Sequence, residues 1–139
     1  MTPAFVVDAS LALTWLFKDE TTVSSTKLLE RLNTESALVP SLWLLEIANV
    51  IAIAERKGRI TPTDSAEFID QLSRLDIQVE PMLTEQVFTD LLPLCRSHGL
   101  TSYDAVYLDL AIRRQLPLAT LDEPLRKAAK KVGVKLLGK

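Results

Sequence analysis

Short apolar runs rich in β-branched residues alternate along this chain with longer segments whose apolar positions recur at helical spacing. Ala4-Phe5-Val6-Val7, ended by Asp8, has the character of a buried strand, and residues 10–17 (Leu11, Leu13, Trp15, Leu16, Phe17) that of a helix. Residues 21–32 predict a second helix and residues 37–39 a second strand. Pro40-Ser41 closes that strand, with Ser41 placed to cap a long helix reaching about Arg56. Gly58 ends that helix, and Thr61-Pro62 opens another with proline at an early helical position. Residues 77–80 predict a third strand, and residues 84–97 a helix interrupted or ended near Pro93. After Gly99 follow a helix over residues 102–114, a strand over 118–120, a helix over 123–131 and a short last strand over 134–137. Strands alternating with helices, without a tight hairpin signal, predict an α/β fold. The expected form is a three-layer α/β/α sandwich around a central parallel five-stranded sheet.

The chain has 139 residues, the size of one domain (residues 1–139), and at 47% hydrophobic and 24% charged it has an ordinary globular balance. Cys95 is the only cysteine, which excludes an intramolecular disulfide and a cysteine-based zinc site and fits a reducing, cytoplasmic setting. The first residues carry no basic stretch ahead of an apolar one, so no signal peptide is expected. The most apolar stretch, residues 42–54, is broken by Glu46 and Asn49 and is too short to span a bilayer. Net charge is −2, unevenly placed: after Glu123 come Arg126, Lys127, Lys130, Lys131, Lys135 and Lys139 and no acid. That end carries +6 and leaves −8 for the rest. It reads either as a solvated basic helix and tail or as a phosphate-binding flank beside an acidic centre.

Four acids stand in unusual surroundings. In residues 42–54 the only polar side chains are Glu46 and Asn49, three apart and so on one face of a helix expected to be buried all round. A carboxylate there needs compensation, from an arginine or a helix terminus if its role is structural. Asp104 opens the next-to-last helix in line with Leu108 and Ala111, although Thr101-x-x-Asp104 also matches a capping box. Asp109 lies on another face, with Arg113 four residues on, and is expected at the surface. Asp8 ends the first strand and Asp122 follows the fourth by two residues, and each could simply cap the helix after it. Together they say more. In an open parallel sheet the crevice lies beyond the carboxyl ends of the strands, and all four acids map to that edge. Carboxylates gathered there repel one another unless cations intervene, and an all-oxygen donor set suits Mg²⁺ or Mn²⁺.

The blocks Val6-Val7-Asp8-Ala9-Ser10, the Glu46 helix, Thr101-Ser102-Tyr103-Asp104-Ala105-Val106-Tyr107-Leu108, and Leu118-Ala119-Thr120-Leu121-Asp122-Glu123-Pro124-Leu125 resemble, in order, the signature blocks of PIN domains. The resemblance spans essentially the whole chain and extends to the VapC toxins of VapBC toxin–antitoxin modules. It implies a Mg²⁺-dependent endoribonuclease, with Mn²⁺ as a possible substitute, whose metal ligands and catalytic acids are Asp8, Glu46, Asp104 and Asp122. Ser10 and Thr120 match positions that support this shell by hydrogen bonding. Hydrolysis by metal-activated water is the implied mechanism. The lone His98, in a Ser97-His98-Gly99 turn, suits a cap or a surface role. The resemblance also implies an RNA substrate, a cognate VapB-like antitoxin, a homodimer and no membrane association. The bulky residues Leu11, Trp15, Leu16, Phe17, Trp43 and Leu44 either fill the core or form the antitoxin groove. Two other classes remain open at this point. A receiver-like phospho-signalling domain shares the sheet but needs an acceptor Asp at the end of its third strand, where this chain has Glu80-Pro81. A non-catalytic interaction module would lack one of the acids.

Overall fold

Strands that are covered on both faces must be apolar on both sides of the pleat. Phe5, Val6 and Val7 of one strand and Ala37, Leu38 and Val39 of the next are accordingly all buried in the computed structural model, which describes residues 2–139. Strands Pro3–Val7 (β1), Ser36–Pro40 (β2), Ile77–Glu80 (β3), Leu118–Ala119 (β4) and Leu136–Leu137 (β5) form one sheet in the order β3-β2-β1-β4-β5. Every neighbouring pair is parallel. A receiver domain has its strands in the order 2-1-3-4-5, so the topology removes that alternative.

The helices are Ala9–Ala12 (α1), Val23–Arg31 (α2), Leu42–Arg56 (α3), Pro62–Ser73 (α4), Thr84–Gln86 (α5), Leu92–His98 (α6), Ser102–Arg114 (α7) and Glu123–Lys131 (α8). Right-handed crossovers place α1–α4 on one face of the sheet and α5–α8 on the other, the expected three layers. On the second face α7 packs across β1, β2 and β4 and meets α8; on the first α1 meets α3. No helix among the described residues is long and apolar enough to cross a membrane.

Several local expectations change. The helix expected over residues 10–17 is a single α turn that tightens into a 3₁₀ turn at Leu13–Trp15, where the buried Thr14 hydroxyl donates to Leu11 O at 2.6 Å. Ser41 already has helical dihedrals (φ −57, ψ −28) and its side chain caps nothing, because the chain enters α3 directly from Pro40. The helix near Pro93 opens into a π turn at Val87–Leu91. Pro93 has no N–H for a bond back to Thr89, and its ring displaces that carbonyl, which favours the wider turn.

Most of the bulky residues near the N-terminus turn out to be core. Leu11, Trp15, Phe17 and Trp43 are buried, and only Leu16 is half-buried and Leu44 exposed. Nor is α3 buried all round. Trp43, Ile47, Ile51 and Ala54 face the sheet, while Leu44, Leu45 and Ile53 are exposed. An amphipathic stripe normally tells which face is inward, and a helix with apolar residues on both faces gives no such signal.

Candidate metal centre

The strand order reverses between β1 and β4. The chain leaves β1 toward β2 and leaves β4 toward β5 on the opposite side, so the carboxyl ends of β1 and β4 flank an open crevice. Asp8 follows β1 directly, and Thr120, Leu121 and Asp122 follow β4. α3 starts from the carboxyl end of β2 with Glu46 in its second turn, and α7 starts with Asp104 in its first.

Asp8 is the most enclosed of the four, only 4% exposed. It caps α1 by accepting from Leu11 N at 3.0 Å, and it accepts from the Ser10 hydroxyl at 2.8 and 2.9 Å and from the Thr120 hydroxyl. Ser10 and Thr120 thus both donate to the Asp8 carboxylate. Thr120 Oγ1 also accepts from Asp122 N at 3.0 Å, and Ser10 Oγ from Leu121 N at 3.3 Å, which ties the β4 loop to Asp8. Burial raises the Asp8 pKa from 3.8 to about 6 against these bonds, with a further push from the Glu46 charge.

Asp104 differs from Asp64, which stands in the same Thr-x-x-Asp motif. In Thr61-Pro62-Thr63-Asp64 the box closes both ways, with Asp64 N donating to the Thr61 hydroxyl and Thr61 N to the Asp64 carboxylate, at 3.1 and 2.9 Å. In Thr101-Ser102-Tyr103-Asp104 only the first half forms, Asp104 N to Thr101 Oγ1 at 3.2 Å. The Thr61 N–H holds the Asp64 carboxyl below its usual range. Asp104 is pushed up instead, by burial and by the charge of Asp122, with the Thr101 hydroxyl opposing. Asp104 therefore leaves the cap to Thr101. Asp122 does cap its helix, accepting from Leu125 N at 3.0 Å through one carboxylate oxygen.

Glu46 needs no arginine. Its carboxylate accepts from the hydroxyl of Tyr107, a residue 1% exposed. Burial and the Asp104 charge still raise its proton affinity above the usual range. Burial and then Glu46 hold the Tyr107 phenol well above its own usual range, so it stays a donor. Tyr107 had no assigned role in the sequence, although its position three residues after Asp104 puts it on the same helix face. Arg126 was missed as well: its guanidinium donates to Thr120 O at 2.7 Å and Leu137 O at 2.9 Å and so fixes the end of β4. Asp109 corrects another expectation. It does pair with Arg113 at 2.8 Å, but it is buried, because Arg113 also reaches Glu80 at 2.9 Å and folds over it.

The four acids form a chain of mutual repulsion, Asp8 with Glu46, Glu46 with Asp104, and Asp104 with Asp122. Among the described residues no group of three or more His, Cys, Asp or Glu side chains stands close enough to hold a metal ion as the side chains lie; the four acids share one edge of the sheet. The all-oxygen donor set fits a hard divalent cation, whose charge would offset the burial and, after it, the repulsion that raise Asp8, Glu46 and Asp104.

The comparisons agree with this geometry. A family model described as the PIN domain matches residues 5–131. No curated protein matches the chain in sequence. Among solved structures, the Pyrobaculum aerophilum protein PAE2754 superposes with a TM-score of 0.71 at 25% identity, over 98% of this chain and 85% of that one. VapBC2 from Rickettsia felis, bound to a DNA fragment from its promoter, gives 0.66 at 14% identity over 96% of both chains. A toxin–antitoxin complex from Klebsiella pneumoniae gives 0.58 at 13% identity, over 86% of this chain and 87% of that one. With the family model spanning nearly the whole sequence and the four-acid rim at the switch point of its sheet, this chain belongs to the PIN domain family.

Proposed function

We propose that the chain is a metal-dependent endoribonuclease and the toxin of a toxin–antitoxin pair. The observation that carries the nuclease reading is the rim itself, where Asp8, Glu46, Asp104 and Asp122 share one edge of the sheet, and where burial and a neighbouring acid's charge raise the proton affinity of Asp8, Glu46 and Asp104. PIN domains are generally nucleases, and two of the structural neighbours are toxin–antitoxin complexes. In this reading the four carboxylates hold Mg²⁺ or Mn²⁺. Ser10 and Thr120 aim Asp8 by donating to it, and Tyr107 aims Glu46. A bound divalent ion supplies an activated water and screens the phosphate charge. The acids keep a scissile phosphate in place only through the cation, since they would otherwise repel it.

The antitoxin reading is supported by a groove of about 1000 Å³ lined by Trp15, Leu16, Phe17, Arg59, Phe68 and Leu75, among others. The exposed Leu44, Leu45 and Ile53 of α3 are the surface we assign to a homodimer, and the cytoplasm is the compartment we assign. The test is cleavage of labelled RNA by the purified protein in Mg²⁺, Mn²⁺ and EDTA. Expected are products with either metal, none in EDTA and none from Asp104→Asn. Cleavage that survives EDTA or the Asn variant would overturn the reading.

A further inference from the structure

A second groove, of about 780 Å³, runs along α8, the helix that Asp122 caps. Its wall includes Glu123 and Pro124, the residues next to Asp122, then Arg126, Lys127, Lys130 and Lys131, with Ser97 and His98 of α6 opposite. The only acid in it, Glu123, is taken by Lys139. Lys127, Lys130 and Lys131 are exposed and, among the described residues, have no carboxylate partner. Most other arginines are spent: Arg31 on Glu35, Arg59 on Asp19 and Glu20, Arg74 on Asp70, and Arg113 and Arg114 on Glu80. Arg126 ties this wall to Thr120 and Leu137 through backbone oxygens. His98 Nδ1, at the far wall, is buried without a partner.

Helix electrostatics account for part of this. Lys130 and Lys131 lie in the last turn of α8, where a cation is favoured, but Lys127 lies a turn earlier. Lys127 with Lys130 and Lys131, and Arg126 with Lys130, are like-charged neighbours at the three- and four-residue spacings that weaken a helix. Such a face is suited to a polyanion. The rest of the chain is acidic, so this is the surface toward which a nucleic acid is drawn.

We propose that the α6–α8 groove is the track for the phosphodiester backbone of single-stranded RNA as it leaves the metal rim, with Lys127, Lys130 and Lys131 as phosphate contacts. The proposal rests on the nuclease reading for its substrate and is tested separately from it. The probe is a labelled single-stranded RNA of about twenty nucleotides, and the variant is Lys127→Gln/Lys130→Gln/Lys131→Gln. Arg56→Gln/Lys57→Gln, at the exposed end of α3, is the control. Affinity is measured by anisotropy in EDTA, where metal-dependent cleavage is off, and cleavage is measured in Mn²⁺ on the same RNA and on a tetranucleotide. Three lost phosphate contacts lower the salt slope by about 2. Between 50 and 200 mM salt the parent's affinity should thus fall roughly twenty-fold further than the variant's. The variant should cleave the long RNA poorly at low concentration and the tetranucleotide like the parent. A parent that cleaves no RNA but keeps the steep salt slope would sink the nuclease reading and leave the track standing. Equal slopes in parent and variant would overturn the track and leave the nuclease standing. So would an equal loss in the control, or a variant that binds RNA normally and loses only a protein partner.

Discussion

Asp8→Asn separates the electrostatic cost of the rim from its capping role. The rise in pKa from 3.8 to about 6 makes an ionised Asp8 cost the metal-free fold about 3 kcal/mol. The sign follows from where the proton sits. Below the unfolded value both states are protonated and there is no cost; between 3.8 and about 6 the unfolded chain ionises while the native state keeps its proton, so the cost grows with pH and is complete above the folded value. Asparagine caps a helix about as well as aspartate, so the bond from Leu11 N survives the change. Asparagine places an amide NH₂ where one of the two oxygens now accepts from Ser10 or Thr120, and that mismatch costs about 1 kcal/mol at any pH. The variant should therefore melt slightly below the parent near pH 4. Near pH 7 it should be more stable by about 2 kcal/mol, which for a chain of this size is about 6 °C. The assay is circular dichroism melting of both proteins in EDTA at three pH values. A gap that does not change with pH, or an Asn variant that melts lower at pH 7, would return Asp8 to a plain cap.

Three further predictions follow from the neighbours of the rim. Tyr107→Phe removes the donor that aims Glu46, so about ten-fold more Mn²⁺ should be needed for half-maximal cleavage, with turnover recovering at saturation; loss that no metal concentration restores would mean a different role. Asp109→Asn should leave cleavage per folded molecule unchanged and lower stability by about 1–2 kcal/mol in denaturant melts, since Arg113 keeps Glu80; lost cleavage would move Asp109 into the site. Leu16→Asp, on the half-buried rim of the larger groove, should weaken antitoxin binding in calorimetry more than it weakens cleavage; undiminished affinity in a folded variant would place the antitoxin elsewhere.

What the sequence makes legible is punctuation and pattern. α7 and α8 begin where the residues predict them because Thr101 and Asp122 cap them, and α3 and α6 stop where Gly58 and Gly99 take left-handed geometry. The acids of the rim are legible because parallel topology sends strand ends to one edge. Less legible is anything decided by a partner far along the chain. Glu46 and Tyr107 are 61 residues apart, and no local pattern joins them. Asp109 is buried by the Arg113–Glu80 pair, which depends on where β3 ends beside α7. The exposed side of α3 is hidden from periodicity because Leu44, Leu45 and Ile53 are as apolar as the residues facing the sheet.

Anomalous diffraction from a crystal soaked in Mn²⁺ shows whether the four carboxylates form one divalent-cation site. A peak is expected between Asp8, Glu46, Asp104 and Asp122, with the nearest carboxylate oxygens at about 2.1 Å. The peak should disappear from Asp104→Asn crystals grown and soaked in the same way. A fully occupied Mn²⁺ elsewhere on the chain, with the rim empty and RNA cleavage intact, would contradict that shared site.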